Sequence, residues 1–174
     1  MGGLILSAIL LLTLPFNVSA QAAEAFAGTP EGFEGLMELI IGASQETQME
    51  MMESIRPDWE DYAVVFEDEG FAKKVFRFHR RLWKESGMVV RPLLEDQTEL
   101  IYWIATQSAL LEYSGEARNF PGGYREIAPY LNPELTYVRC KFVAPGRRLG
   151  SAYDMWVFVN GNWRLFPRPW AILF

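Results

Sequence analysis

Between Val159 and Asn162 the chain reads Asn160-Gly161, the dipeptide suited to a two-residue hairpin turn in which both residues take positive φ. A turn of that length leaves one register. It pairs Val159 with Asn162, Phe158 with Trp163 and Trp156 with Leu165. Side chains alternate faces along a strand, so Trp156, Phe158, Trp163 and Leu165 share one face, which must be the core face. Asp154 stands two residues before Trp156, and the same alternation puts it on that face, opposite Pro167. A carboxylate facing a core is costly unless it is paired or neutral. Two readings follow. Either Asp154 is held near the rim by backbone bonds or by an ion pair that Arg147, Arg148 or Arg168 supplies, or it is a proton carrier with a raised pKa at a pocket mouth, beside Tyr153 or His79.

Ahead of this hairpin the pattern is helical. Phe33, Leu36, Met37, Ile40, Ile41, Met51, Met52 and Ile55 recur at helical spacing, and Gly42 and Ser44 divide them between two helices. Pro57 suits the first turn of a short helix to about Phe66, with Trp59, Tyr62, Ala63 and Phe66 as its buried stripe. A longer helix is predicted over Gly70–Ser86, ended by Gly87. Ala72, Val75, Phe76, His79, Leu82 and Trp83 form its apolar face; Lys73, Lys74, Arg77, Arg80, Arg81 and Lys84 form the opposite one. Phe76, Leu82 and Trp83 are expected to be buried and the six bases exposed. Met88 to Leu94 is a short strand or an extended link. Thr98 to Tyr113 has the length of a helix, but Ile101-Tyr102-Trp103-Ile104 favours a strand over Glu99–Ala105, then a turn or short helix. A short helix over Tyr124–Leu131 and strands over Leu135–Val143, Ser151–Val159 and Asn162–Phe166 complete the chain.

Helices first and antiparallel strands last is the order of an α+β domain, with N-terminal amphipathic helices packed against a curved C-terminal sheet. In element order this resembles the NTF2-like or cystatin-like cone-shaped domains. Phe120-Pro121-Gly122-Gly123-Tyr124, Lys141-Phe142-Val143, Pro145-Gly146 and Trp163-Arg164-Leu165-Phe166-Pro167-Arg168-Pro169-Trp170 resemble a group of uncharacterised exported bacterial proteins. The second resemblance implies export and no particular activity.

The N-terminus points the same way. Leu4 to Phe16 is an apolar run broken only by Ser7, Thr13 and Pro15, and Val18-Ser19-Ala20 follows as a small-residue cleavage site. The run is shorter than the ~20 residues that cross a bilayer. Residues 1–20 are therefore read as a signal peptide, 21–32 as a flexible leader and 33–174 as one domain, periplasmic or secreted, with no membrane span in the mature chain. Cys140 is the only cysteine, so the domain has no internal disulfide and relies on its apolar core.

The net charge is −6, against the basic footprint of a nucleic-acid binder. The charge is also segregated. From Glu31 to Glu69 there are twelve acids and one base; from Phe71 to Lys84 there are six bases and no acid. The two blocks either pair inside the fold, or the basic face meets an anionic surface or polymer.

Chemical motifs are sparse. No nucleophile elbow, phosphate loop or dinucleotide fingerprint occurs, and no metal or cofactor is expected. His79, the only histidine, is a packed core residue or a general base facing a pocket. Cys140, between Val138 and Phe142, reads as a buried inert thiol. The clustered rings fill a core or line a pocket for a small apolar ligand. The leading expectation is a non-catalytic exported binding domain. The rivals are an NTF2-like enzyme using a carboxylate for proton transfer and a structural envelope component.

Overall fold

The computed structural model of the chain describes residues 26–85 and 88–174. The stretch read as a signal peptide, residues 21–25 of the leader and the capping Gly87 lie outside the described residues.

The N-terminal helices form where caps and apolar spacing coincide. The hydroxyl of Thr29 accepts from the Gly32 N–H at 3.2 Å and Pro30 takes the first position of α1 (Pro30–Gly42). Its stripe of Phe33, Leu36, Met37 and Ile40 is buried. Ser44 caps α2 (Gln45–Ser54). Pro57 does not open the next helix. Asp58 caps it, and Asp58 and Asp61 exchange side chain-to-backbone bonds of 3.0 and 3.1 Å at the start of α3 (Trp59–Val65). The stripe is Tyr62, Val65 and Phe66; Ala63 is exposed and Trp59 half-buried. A carboxylate oxygen of Asp68 accepts from the Phe71 N–H at 2.6 Å and starts α4 (Glu69–Glu85).

The ambiguous stretch is both structures in turn. β1 runs Glu99–Thr106, where the Thr106 hydroxyl accepts from the Ala109 N–H and caps α5 (Gln107–Glu112). Tyr113, at φ 53°, ends that helix. After α6 (Gly123–Ile127) come β2 (Thr136–Val143), β3 (Gly150–Val159) and β4 (Asn162–Leu165), and a 3-10 turn over Pro169–Leu173 ends the chain. Residues 88–94 are an extended link: the Tyr153 hydroxyl accepts from the Arg91 N–H at 3.1 Å and donates to the Arg91 carbonyl at 2.8 Å.

The four strands form an antiparallel sheet in the order β1-β2-β3-β4. Asn160 and Gly161 sit at φ 51° and 79°, and β3 and β4 pair in the register that this turn dictates, Phe158 with Trp163 and Trp156 with Leu165. The fold is α+β.

Helices cover both faces of the sheet. α1 and α2 pack on one face, where Phe33, Ile40 and Met51 meet Val138, Cys140, Phe142, Trp156, Trp163 and Leu165. The Phe33 ring stands edge-on to Tyr102 and Trp156 at 5.6 and 5.7 Å and tilts against Trp163 at 5.1 Å. The hairpin rings thus fill a core. α3, α4, α5 and α6 pack on the other face, where Tyr62, Val65, Phe66, Val75 and Ile127 meet Ala105, Tyr137, Met155, Val157 and Phe166.

Asp154 is not on the face that strand alternation predicts. The ladder slips between Val138–Trp156 and Arg139–Asp154, because Met155, at φ 63°, is an extra residue in β3. One added residue inverts every side chain beyond it. Asp154 therefore leaves the Trp156 side and lies beside Arg139, beneath α6. The partner is Arg139, at 2.7 Å, rather than Arg147, Arg148 or Arg168.

Candidate functional site

α4 carries the most distinctive surface. Phe71, Ala72, Val75 and His79 are buried, and Lys73, Lys74, Arg77, Arg80, Arg81 and Lys84 are exposed. Phe76, Leu82 and Trp83, expected in the core, are half-buried. Phe76 and Trp83 flank an open cleft of about 350 Å³ between the start of α3 and the end of α4, walled also by Trp59, Arg56 and Arg80 and by the carboxylates Glu53 and Asp58. The helix runs past the core here, so its apolar face is not fully roofed.

The basic face does not pair with the acidic helices. Among the described residues only Lys73 of the six bases forms an ion pair, at 2.6 Å to Glu69 on the same helix. That exposed pair contributes little. Glu31, Glu34, Glu38, Glu46 and Glu50 of α1 and α2 lie across the sheet from α4, while the acids on its own side are otherwise placed: Glu53 pairs with Arg56 in the cleft that Arg80 also lines, Asp61 pairs with Arg164, and Asp58 and Asp68 cap helices. On this face Arg80 stands 6.0 Å from the Phe76 ring centroid.

The face borders a groove. Lys74, Arg77, Phe78 and Arg81 form one wall, and Ala171 and Ile172 of the C-terminal turn form the other, of an open hollow of about 690 Å³. It continues into a second hollow of about 350 Å³ among Arg77, Arg80, Arg81 and Lys84. Neither hollow is lined by a described carboxylate. The apolar wall has no signal in the sequence, since it depends on the chain end folding back on α4.

His79 helps to fix that return. Fully buried, it stands 2.9 Å by Nε2 from the Pro167 carbonyl and 2.7 Å by Nδ1 from the Tyr62 hydroxyl. A carbonyl only accepts, so Nε2 carries the proton; burial holds the ring neutral, so Nδ1 accepts from Tyr62. Burial pushes the His79 pKa down to about 3, and the bond to Pro167 opposes that only in part. His79 lines none of the hollows described.

The other proposed proton carriers are also engaged. Asp154 is raised above the ordinary carboxylate range by burial, against the pull of Arg139. The two side chains are 10 % and 14 % exposed and pair closely. Arg139 also donates to the Asn119 carbonyl. Tyr153 is on the opposite face of the sheet, bonded to the 88–94 link, and its pKa is raised chiefly by burial. Asp154, Tyr153 and His79 thus serve three separate contacts rather than one cluster. Asp61 is a second buried carboxylate that composition did not single out. It pairs with Arg164 at 2.9 Å and accepts from Asn160 at 2.8 Å, and burial raises its pKa. Neither raised carboxylate lines a hollow described above.

Cys140 is fully buried and burial raises its pKa, so its thiol is held protonated. Among the described residues no group of three or more His, Cys, Asp or Glu side chains has the arrangement of a metal site, and no helix is long and apolar enough to cross a membrane. The chain matches no protein-family model, no curated protein and no solved structure.

Proposed function

We propose that this chain is an exported, non-catalytic binding domain that docks on an anionic membrane surface through the basic face of α4. One observation carries the reading: Lys74, Arg77, Arg80, Arg81 and Lys84 are exposed on one helix face, and among the described residues none of the five forms an ion pair. Each Lys or Arg near an anionic leaflet contributes about 1 kcal/mol. Five acting together exceed what the Lys73–Glu69 pair withholds. The export part of the proposal rests on Leu4–Phe16 and Val18-Ser19-Ala20.

Co-sedimentation with vesicles tests it. The protein is expected to sediment with phosphatidylglycerol-containing vesicles at 0.1 M salt, to remain in solution with pure phosphatidylcholine, and to be released at 1 M salt. Lys74→Gln with Lys84→Gln should weaken sedimentation at least tenfold. Equal binding to both vesicle types would refute the docking mode, and preferential capture by a soluble polyanion would replace the membrane with an acidic polymer.

A further inference from the structure

The groove beside α4 is more than a charged surface, because its two walls differ in kind. Lys74, Arg77 and Arg81 follow one another at i, i+3 and i+7, so their side chains line one stripe of the helix. Phe78, half-buried, borders that stripe, and Ala171 and Ile172 stand across from it. A cationic wall facing an apolar one, with no described carboxylate between them, suits a molecule with the same division. The hollow, about 690 Å³, is open to solvent along its length, which suits a chain laid on the surface rather than a ligand enclosed by it.

The apolar wall is held in place at two points. His79 donates to the Pro167 carbonyl, immediately before Arg168, whose φ of 49° turns the chain into the 3-10 segment. Behind that segment Trp170 lies against Gly123, where a Cβ would come within 2.7 Å of the indole. Glycine at 123 thus permits a close approach that any other residue would obstruct. A wall anchored by a buried hydrogen bond and by ring packing keeps its spacing from α4 before any ligand arrives, which lowers the ordering cost of binding.

We propose that this groove is a binding site for a single-chain anionic amphiphile. The acidic head is held by Arg77 and Arg81, and the alkyl tail runs along Phe78 and Ile172. The guanidinium fork matches a carboxylate or phosphate head. The proposal rests on the membrane-docking reading and deepens it by naming what that helix face grips.

The test uses dodecanoate below its micelle concentration, titrated into the full chain and followed at the Ala171 and Ile172 amides by NMR. Decanoate and octanoate give the length series. Dodecyltrimethylammonium and dodecyl maltoside carry a cationic and a neutral head on the same tail, and acetate carries the head alone. Dodecanoate is expected to bind at least tenfold more tightly than the maltoside, with affinity falling about threefold for each methylene removed. Acetate and the ammonium compound are expected to leave the two amides unmoved. Arg77→Gln with Arg81→Gln should abolish the preference for dodecanoate over the maltoside, and Ile172→Ser should flatten the length series. Equal binding of the ammonium compound, a flat length series in the unaltered protein, or an unaffected Arg77→Gln, Arg81→Gln protein overturns the groove assignment. Vesicle binding without dodecanoate binding overturns the groove alone. Dodecanoate binding without vesicle binding overturns surface docking alone.

Discussion

His79 makes stability fall in acid by an amount that its surroundings set. In the unfolded chain the imidazole titrates near 6.5; in the fold its pKa is about 3. Between those values the unfolded chain binds the proton and the native state does not, so stability rises with pH across that window and is lost as pH falls through it. The full shift of 3.5 units corresponds to about 5 kcal/mol at about 1.4 kcal/mol per unit. Relative to pH 7, the loss is about 2 kcal/mol at pH 5 and about 3 kcal/mol at pH 4. Asp61 and Asp154 work against this. Their folded pKa values are raised, so their contribution is greatest below the unfolded carboxylate value and is lost as pH rises through the folded one. Comparison with His79→Gln removes them, since they are common to both proteins. Glutamine retains a donor and an acceptor but no titration. Urea unfolding of both proteins at pH 7, 5 and 4 should give a difference in stability that narrows as pH falls, by about 2 kcal/mol at pH 5. Parallel pH profiles would refute the buried neutral imidazole.

Arg139→Met alone should cost about 3–5 kcal/mol in urea unfolding, because it strands the buried Asp154, and adding Asp154→Leu should recover most of that loss. Gly123→Ala should destabilise by about 1–3 kcal/mol and increase amide exchange over residues 169–173, since its methyl group meets Trp170. Phe66→Ala should cost about 3–5 kcal/mol and Leu82→Ala clearly less, as Phe66 is fully enclosed and Leu82 half-buried. Equal losses at those two positions would place the end of α4 in the core.

The local signals were legible and the long-range ones were not. Asn160-Gly161 predicts its own hairpin because turn geometry depends on two residues, and the α1–α2 break follows from Gly42 and Ser44. The reversal at Met155 has no such mark. Methionine is a poor candidate for φ 63°, and only the pairing of β3 with β2 reveals the extra residue. Everything argued for Asp154 from alternation changed sides with it. Charge segregation was visible, but pairing of the two blocks depended on how the helices pack, and among the described residues only Glu69 reaches a base of α4. The candidate groove was half legible: α4 announces Arg77 and Arg81, while Ala171 and Ile172 reach it only through the fold.

α4 gathers five exposed bases that no described carboxylate pairs with, on a molecule whose net charge is −6. An anionic wall senses different parts of it at different ionic strengths. At 0.01 M salt the screening length is about 30 Å, and the wall feels the net negative charge of the whole molecule. At 0.1 M it shrinks to about 10 Å, and the wall feels chiefly the basic face turned towards it. At 1 M neither is felt. Adsorption should therefore pass through a maximum near 0.1 M, and approaching molecules should arrive already oriented, with α4 leading.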